Sequence, residues 1–221
     1  MVSLTNHARL RWLDLLRSSA ILGMVVYHAA YDLQFFHAWD IDVTRGWWRV
    51  FQVCVASLFL AVSGVSAGFW TRTDAFGKGW RRGWFILSAA MLVSFITAIA
   101  DERTWVSFGI LHLLALAAFV LPFLRRVPPV LLGVLGLLFI ALAPFDLMPH
   151  VVSVDYVPPI PWLGPVLLGF AVGIPLSKRA PKPTKPSRMF DALSWPGKHS
   201  LAIYLLHQPV IMAALWFVLR P

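Results

Sequence analysis

The chain has 221 residues, of which 59% are hydrophobic and only 13% charged, with a mean hydropathy of +0.73 and a formal net charge of +9. This balance excludes an ordinary soluble domain and points to a polytopic membrane protein. A lone Cys54, inside an apolar run, excludes a disulfide framework within the chain.

Apolar segments are expected at about 13–36, 47–70, 84–100, 106–124, 130–148, 161–176 and 198–219, so the fold class is an all-α bundle of about seven spans. The first is too long for a cleavable leader and lacks a small-residue cleavage site, so it reads as a retained span. The third and sixth are short for a ~30 Å core and lean on interfacial Trp84 and Trp162. With the N-terminus cytoplasmic, 15 of the 19 Lys and Arg residues fall inside; only Arg45, Arg49, Arg103 and Arg220 fall outside. The positive charge is thus mainly a topology signal, and nucleic acid is not an expected partner. The whole chain reads as one transmembrane domain, with a mobile cytosolic loop at about 178–192 that contains the Pro-rich, basic stretch APKPTKPSRMFD. Small residues in LAVSGVSAG (60–68) prepare the second helix for close helix packing. No internal repeat is apparent, which weakens a transporter built from duplicated halves.

The first span carries the chemistry. It contains Asp14, Arg17, His28 and Asp32. At 100° per residue, Arg17 and His28 lie only about 20° out of phase, and Asp32 follows one turn later. The result is an ionisable stripe about 27 Å long. Each charge at the bilayer centre costs at least ~2.5–3.5 kcal/mol, so the stripe must face protein or a wet cavity. On the last span Ser200, Tyr204, His207 and Gln208 share a face. His112 and His207 are expected within other spans and His37 just past the first, so histidines could converge in the outer half of the bundle. A neutral His28 with Asp32 as acid neighbour is a competent general base.

Each residue also has a plainer reading. Arg17 could be a snorkelling charge or a partner of Asp14, and His112 and His207 could be packing polar groups. Metal binding by the histidines has no supporting HExxH or Cys spacing, and no metal is expected. No GxSxG, Walker loop or GxGxxG opening a helix after a strand is present. An enzyme, a proton-coupled small-solute carrier and a non-catalytic membrane partner subunit all fit the stripe alone.

RWLDLLRSSAILGMVVYH, LFLAVSGVSAG, FGILHLLAL, DYVPPIPWLGPVLLGFAVG and GKHSLAIYLLHQP, in this order, resemble the heparan-α-glucosaminide N-acetyltransferase catalytic-domain family. Arg17 and His28 also resemble the R-x10-H signature of the bacterial acyltransferase-three family. The resemblance implies a multi-pass membrane acyltransferase, in a bacterial inner membrane, that moves acetyl or another short acyl group from cytosolic acetyl-CoA. The acceptor would be a hydroxyl or amine of a cell-envelope sugar or glycolipid. His28 or His37, the latter in FFHAWD, would be the base, with Asp32 in support; the lysosomal enzyme has Asn at the position of His28. Arg17, Arg72, Arg81, Arg82 and Lys198 would receive the nucleotide end of CoA. Tyr204, His207, Gln208 and His112 would line the donor path, some as oxyanion donors, and Asp155, Tyr156 and Trp162 would meet the acceptor. A covalent acetyl-histidine stays open as an alternative to direct transfer. Expected partners are the bilayer, acyl-CoA, the sugar acceptor and a second copy of the chain as a homodimer.

Overall fold

The computed structural model describes residues 11–36, 38–71, 73–100, 105–145, 147–148, 153, 155–179 and 188–218. Among them every regular element is helical, as the all-α class requires. The helices are α1 (Arg11–Phe35), α2 (Gly46–Gly68), α3 (Ala75–Ala100), α4 (Ile110–Leu124), α5 (Pro129–Ala141), α6 (Pro159–Lys178), α7 (Arg188–Leu193), α8 (Trp195–Lys198) and α9 (Ser200–Val218). Helices α2, α3, α6 and α9 are long and apolar enough to cross a bilayer. With 25 residues α1 is long enough too, but its polar stripe dilutes its apolarity. Helices α4 and α5, of 15 and 13 residues, fall short of the ~30 Å core. Four of the seven expected spans therefore meet both criteria.

Prolines and a charge at a helix start mark several of these boundaries. Pro129 opens α5, where its missing N–H costs nothing. In α6, Ile160 is extended because a proline follows, so the regular helix begins at Pro161, the start expected from the sequence. Helix α3 begins at Ala75 rather than near Trp84. Asp74 sits just before it and pairs with Lys78 at 2.9 Å, an anion at a helix N-terminus and an i,i+4 ion pair. Within the loop expected at about 178–192, residues 180–187 lie outside the described residues, whereas Arg188–Leu193 is the helix α7.

The chain divides into two compact units, residues 1–59 with 180–221 and residues 60–179. In the first, α1 packs on α8 and α9. Its apolar cluster is Tyr27, Ala30 and Val43, against which Tyr31, Trp48 and Phe51 pack. The Val43 N–H donates to Gln34 Oε1 at 3.0 Å and ties the following loop to α1. Gly46 opens α2 at φ +56°, a conformation that favours glycine.

In the second unit glycines bring helix backbones together. Gly64 and Gly68 of α2 face Val166 and Gly173 of α6, and Gly169 and Gly173 face Ala61 and Val65 in return. This close approach is the one LAVSGVSAG prepares. Gly136 of α5 meets Gly164 of α6 in the same way, and Gly79 and Gly83 of α3 fit against Pro122 and Phe119 of α4. Phe170, Leu60 and Leu113 are fully buried among them.

Candidate functional site

The stripe of α1 lies in the first unit, and its charges are matched one by one. Asp14 is buried, and its Oδ1 accepts from Arg17 Nη1 at 2.7 Å. One residue on, the buried Ser18 hydroxyl donates to the Asp14 carbonyl at 2.9 Å and accepts from the Gly197 N–H at 2.8 Å. Gly197 of α8 rests directly on the backbone of α1 at Asp14, and a side chain there would collide with it. The plainer reading of Arg17, a partner for Asp14, is therefore met. Lys198 is drawn to Asp191, with 3.5 Å between Nζ and Oδ1.

Further along α1, Asp32 is only 2% exposed. Its two carboxylate oxygens accept from the Gln208 side-chain amide of α9 at 2.8 and 3.0 Å. The reversed amide would set oxygen against oxygen, so the chemistry fixes the orientation, with Nε2 toward Asp32. His28 does not rely on Asp32 for its tautomer. Its Nδ1 lies 2.9 Å from the Met24 carbonyl one turn earlier, and a carbonyl only accepts. The neutral ring thus carries its hydrogen on Nδ1 and a lone pair on Nε2. The His28 and His207 rings meet edge to face, with centroids 4.8 Å apart. His207 repeats the arrangement, its Nδ1 2.6 Å from the Tyr204 carbonyl. Two of the expected histidines therefore meet, one turn along α1 from Asp32 and one residue along α9 from the Gln208 amide that holds it. This array can take a proton from a substrate and hold the imidazolium that results.

The remaining residues are elsewhere. His37 and Arg72 lie outside the described residues. In the second unit, His112 serves the start of α4: its Nδ1 accepts from the Gly109 N–H at 3.2 Å, and its ring stacks on Phe108. Its Nε2 is 3.5 Å from Ser94 Oγ, whose hydroxyl donates to the Val106 carbonyl at 2.6 Å. Asp155 serves the same helix end, its Oδ2 3.4 Å from the Ile110 nitrogen. Exposed helix N–H groups attract such acceptors. Tyr156 and Trp162 are half-buried beside and within the start of α6, and Arg81 is exposed on α3. Arg82 is half-buried at a shallow cleft lined also by Ser63, Trp70, Leu114 and Val166. The cleft holds about 10 Å³, room for no more than one water and far too little for a small-molecule site. No cluster of three His, Cys, Asp or Glu able to hold a metal occurs among the described residues.

The sequence profile of the family described as "Heparan-alpha-glucosaminide N-acetyltransferase, catalytic" matches residues 9–209, nearly the whole chain. The chain belongs to this family. Membership makes it a member of a membrane acetyltransferase family, in keeping with its apolar helices. No curated protein and no solved structure matches the chain. The matched region takes in the whole α1 stripe and ends just past Gln208, so both sides of the His28–His207 contact belong to the catalytic domain.

Sequence reasoning missed Ser18, Gly197 and the Met24 carbonyl. Ser18 was within reach, since it adjoins Arg17 on a helix whose polar residues need partners. The other two act through backbone atoms, which residue type does not reveal.

Proposed function

We propose that the protein is a membrane acyltransferase that moves an acetyl or other short acyl group from acyl-CoA to a hydroxyl or amine of a cell-envelope sugar or glycolipid. His28 is the general base. The observation that carries this reading is the Nδ1 contact to the Met24 carbonyl, which leaves Nε2 as a fixed lone pair beside α9. Acyl-CoA supplies an activated carbonyl carbon as its thioester. As the acceptor oxygen or nitrogen attacks that carbon, His28 Nε2 takes the proton and the carbon–sulfur bond breaks. The imidazolium then returns the proton to the departing sulfur, so the products are an ester or amide and a free thiol. Asp32, held by Gln208, supplies the negative charge that favours the protonated ring. His37 remains the second candidate for the base.

The positive-inside count supports a cytoplasmic N-terminus; a bacterial inner membrane is the location proposed with the family resemblance. Basic residues of the first unit on that side, Arg17 and Lys198, suit the anionic end of CoA.

The test follows the thermal stability of the purified chain with acetyl-CoA, because a ligand at 100 Kd stabilises by about 2.7 kcal/mol. The shift is expected in wild type and His28→Ala and absent in Arg17→Ala, each compared with its own unliganded baseline. Acetyl transfer is expected to disappear in His28→Ala. No shift at millimolar acetyl-CoA would defeat the acyltransferase reading, and full turnover in His28→Ala would remove His28 as the base.

A further inference from the structure

His207 and Gln208 carry a second feature of the same region that the acid–base chemistry leaves unused. His207 Nδ1 is spent on the Tyr204 carbonyl, so Nε2 is a lone-pair acceptor. The Gln208 amide nitrogen is spent on Asp32, so Oε1 is turned away from the carboxylate. Both His207 Nε2 and Gln208 Oε1 are buried, and neither meets a hydrogen-bond partner. Native proteins rarely leave a buried acceptor unsatisfied, and here two stand on adjacent residues of α9. With His28 Nε2, a third lone-pair nitrogen on a ring 4.8 Å from His207, three acceptors gather here.

That chemistry selects its ligand. A thioester carbonyl or a phosphate oxygen only accepts hydrogen bonds and would meet lone pairs. A protic ligand is suited, and one with two neighbouring donors is suited best: one O–H or N–H gives its proton to His28 while the adjacent one satisfies α9. We propose that His207 and Gln208 dock the acyl acceptor through a protic group next to the one that reacts, which makes them specificity-determining residues for vicinal diols and amino alcohols such as sugars present. As lone-pair acceptors they are then not oxyanion donors. This proposal rests on His28 being the site of transfer.

The experiment uses the full chain in nanodiscs and two probes, glucosamine, which has vicinal donors, and cyclohexylamine, which has the ring and amine alone. Without acetyl-CoA, glucosamine is expected to raise the melting temperature of wild type and cyclohexylamine is not. This comparison needs no variant. His207→Phe keeps a ring against His28 but removes the nitrogen, and it is expected to lose the glucosamine shift. His207→Gln returns an acceptor oxygen and is expected to regain it. In acetyl-transfer assays His207→Phe should raise the KM for glucosamine about tenfold, the worth of one hydrogen bond, and leave the KM for acetyl-CoA unchanged. The proposal fails if wild type does not distinguish the two probes, if His207→Phe binds glucosamine normally because a structural water alone fills the site, or if the acetyl-CoA KM moves instead. Selective glucosamine binding in wild type, lost in His207→Phe, without any acetyl transfer would uphold the docking site and defeat the acyltransferase reading.

Discussion

Removing the amide that faces Asp32 tests the site most directly. Gln208→Leu keeps the approximate volume of the side chain and deletes both contacts, at 2.8 and 3.0 Å, to a carboxylate only 2% exposed. Hydrogen bonds between neutral groups on membrane helices average about 0.6 kcal/mol, because the unfolded helices find other partners in the bilayer. Bonds to a charged acceptor are worth ~1.5–3 kcal/mol, and the buried anion has no water to replace the amide. The single variant therefore mixes the lost bond with the cost of a stranded carboxylate. A double-mutant cycle with Asp32→Asn separates the two, since Asn can still pair with Gln208 but carries no charge. Unfolding in a graded detergent series should give Gln208→Leu a loss of ~2 kcal/mol or more, Asp32→Asn a smaller one, and a coupling energy of at least ~1.5 kcal/mol. A coupling at or below the neutral average would refute the argument that Gln208 holds an anion there, and with it the electrostatic support assigned to Asp32.

Four further outcomes are expected. Gly68→Val would push a side chain into backbone atoms of α6, where a Cβ would already lie 2.5 Å from the Gly173 carbonyl carbon, so chemical unfolding should show a loss of ~1–3 kcal/mol or more; unchanged stability would contradict the close packing. His112→Ala should lower stability by ~0.5–2 kcal/mol through loss of the cap at Gly109 while acetyl-CoA binding, followed by thermal shift, persists. Gly197→Ala should wedge α8 from α1, and loss of native stability in detergent, measured beside a tolerated Gly77→Ala, would reveal it; no atom lies within 4 Å of a Cβ built at Gly77. The Asp74 carboxyl is held below its ordinary 3.8 by the Lys78 side chain first and the Thr71 hydroxyl second. Because its folded value is depressed, any stabilisation from the pair exists above the ordinary value and fades as pH falls through the folded one, and a side-chain NMR titration should show Lys78→Ala moving the midpoint upward.

Some of this architecture is visible in residue type alone. The α1 stripe follows from helical phase, and the contact of α2 with α6 follows from small residues spaced along one face, since both depend only on periodicity within a helix. What escapes the sequence depends on a second element. The four-residue spacing of His28 and Asp32 suggested a direct pair, but Met24 one turn earlier offers His28 a carbonyl, and Gln208 from another helix reaches Asp32 first. His112 looked like an intramembrane polar group because it stands in an apolar run. Its position three residues after Gly109, at a helix start, makes it a cap instead. Helix α5 ends at Ala141, short of the expected 148, because hydropathy runs on past Pro144, which is disfavoured in a helix interior, and α4 begins at Ile110 rather than at 106.

The distribution of partners around α1 separates what holds the fold from what is left to react. Every charge on the described stripe is answered: Asp14 by Arg17, and Asp32 by Gln208. Such answers are what an apolar surrounding demands, since an uncompensated buried charge is the costliest group a membrane helix can carry. The imidazoles are treated differently. Each gives its Nδ1 hydrogen to a carbonyl of its own helix, which fixes the ring without using Nε2. A histidine needed only as a link between helices would spend its outward nitrogen on the neighbouring helix. His207 instead keeps its Nε2 buried without a partner, next to a glutamine whose oxygen is bare as well. Rings locked by local backbone contacts, with charge placed nearby and lone pairs left over, are the arrangement that the proposed proton-bearing acceptor would complete.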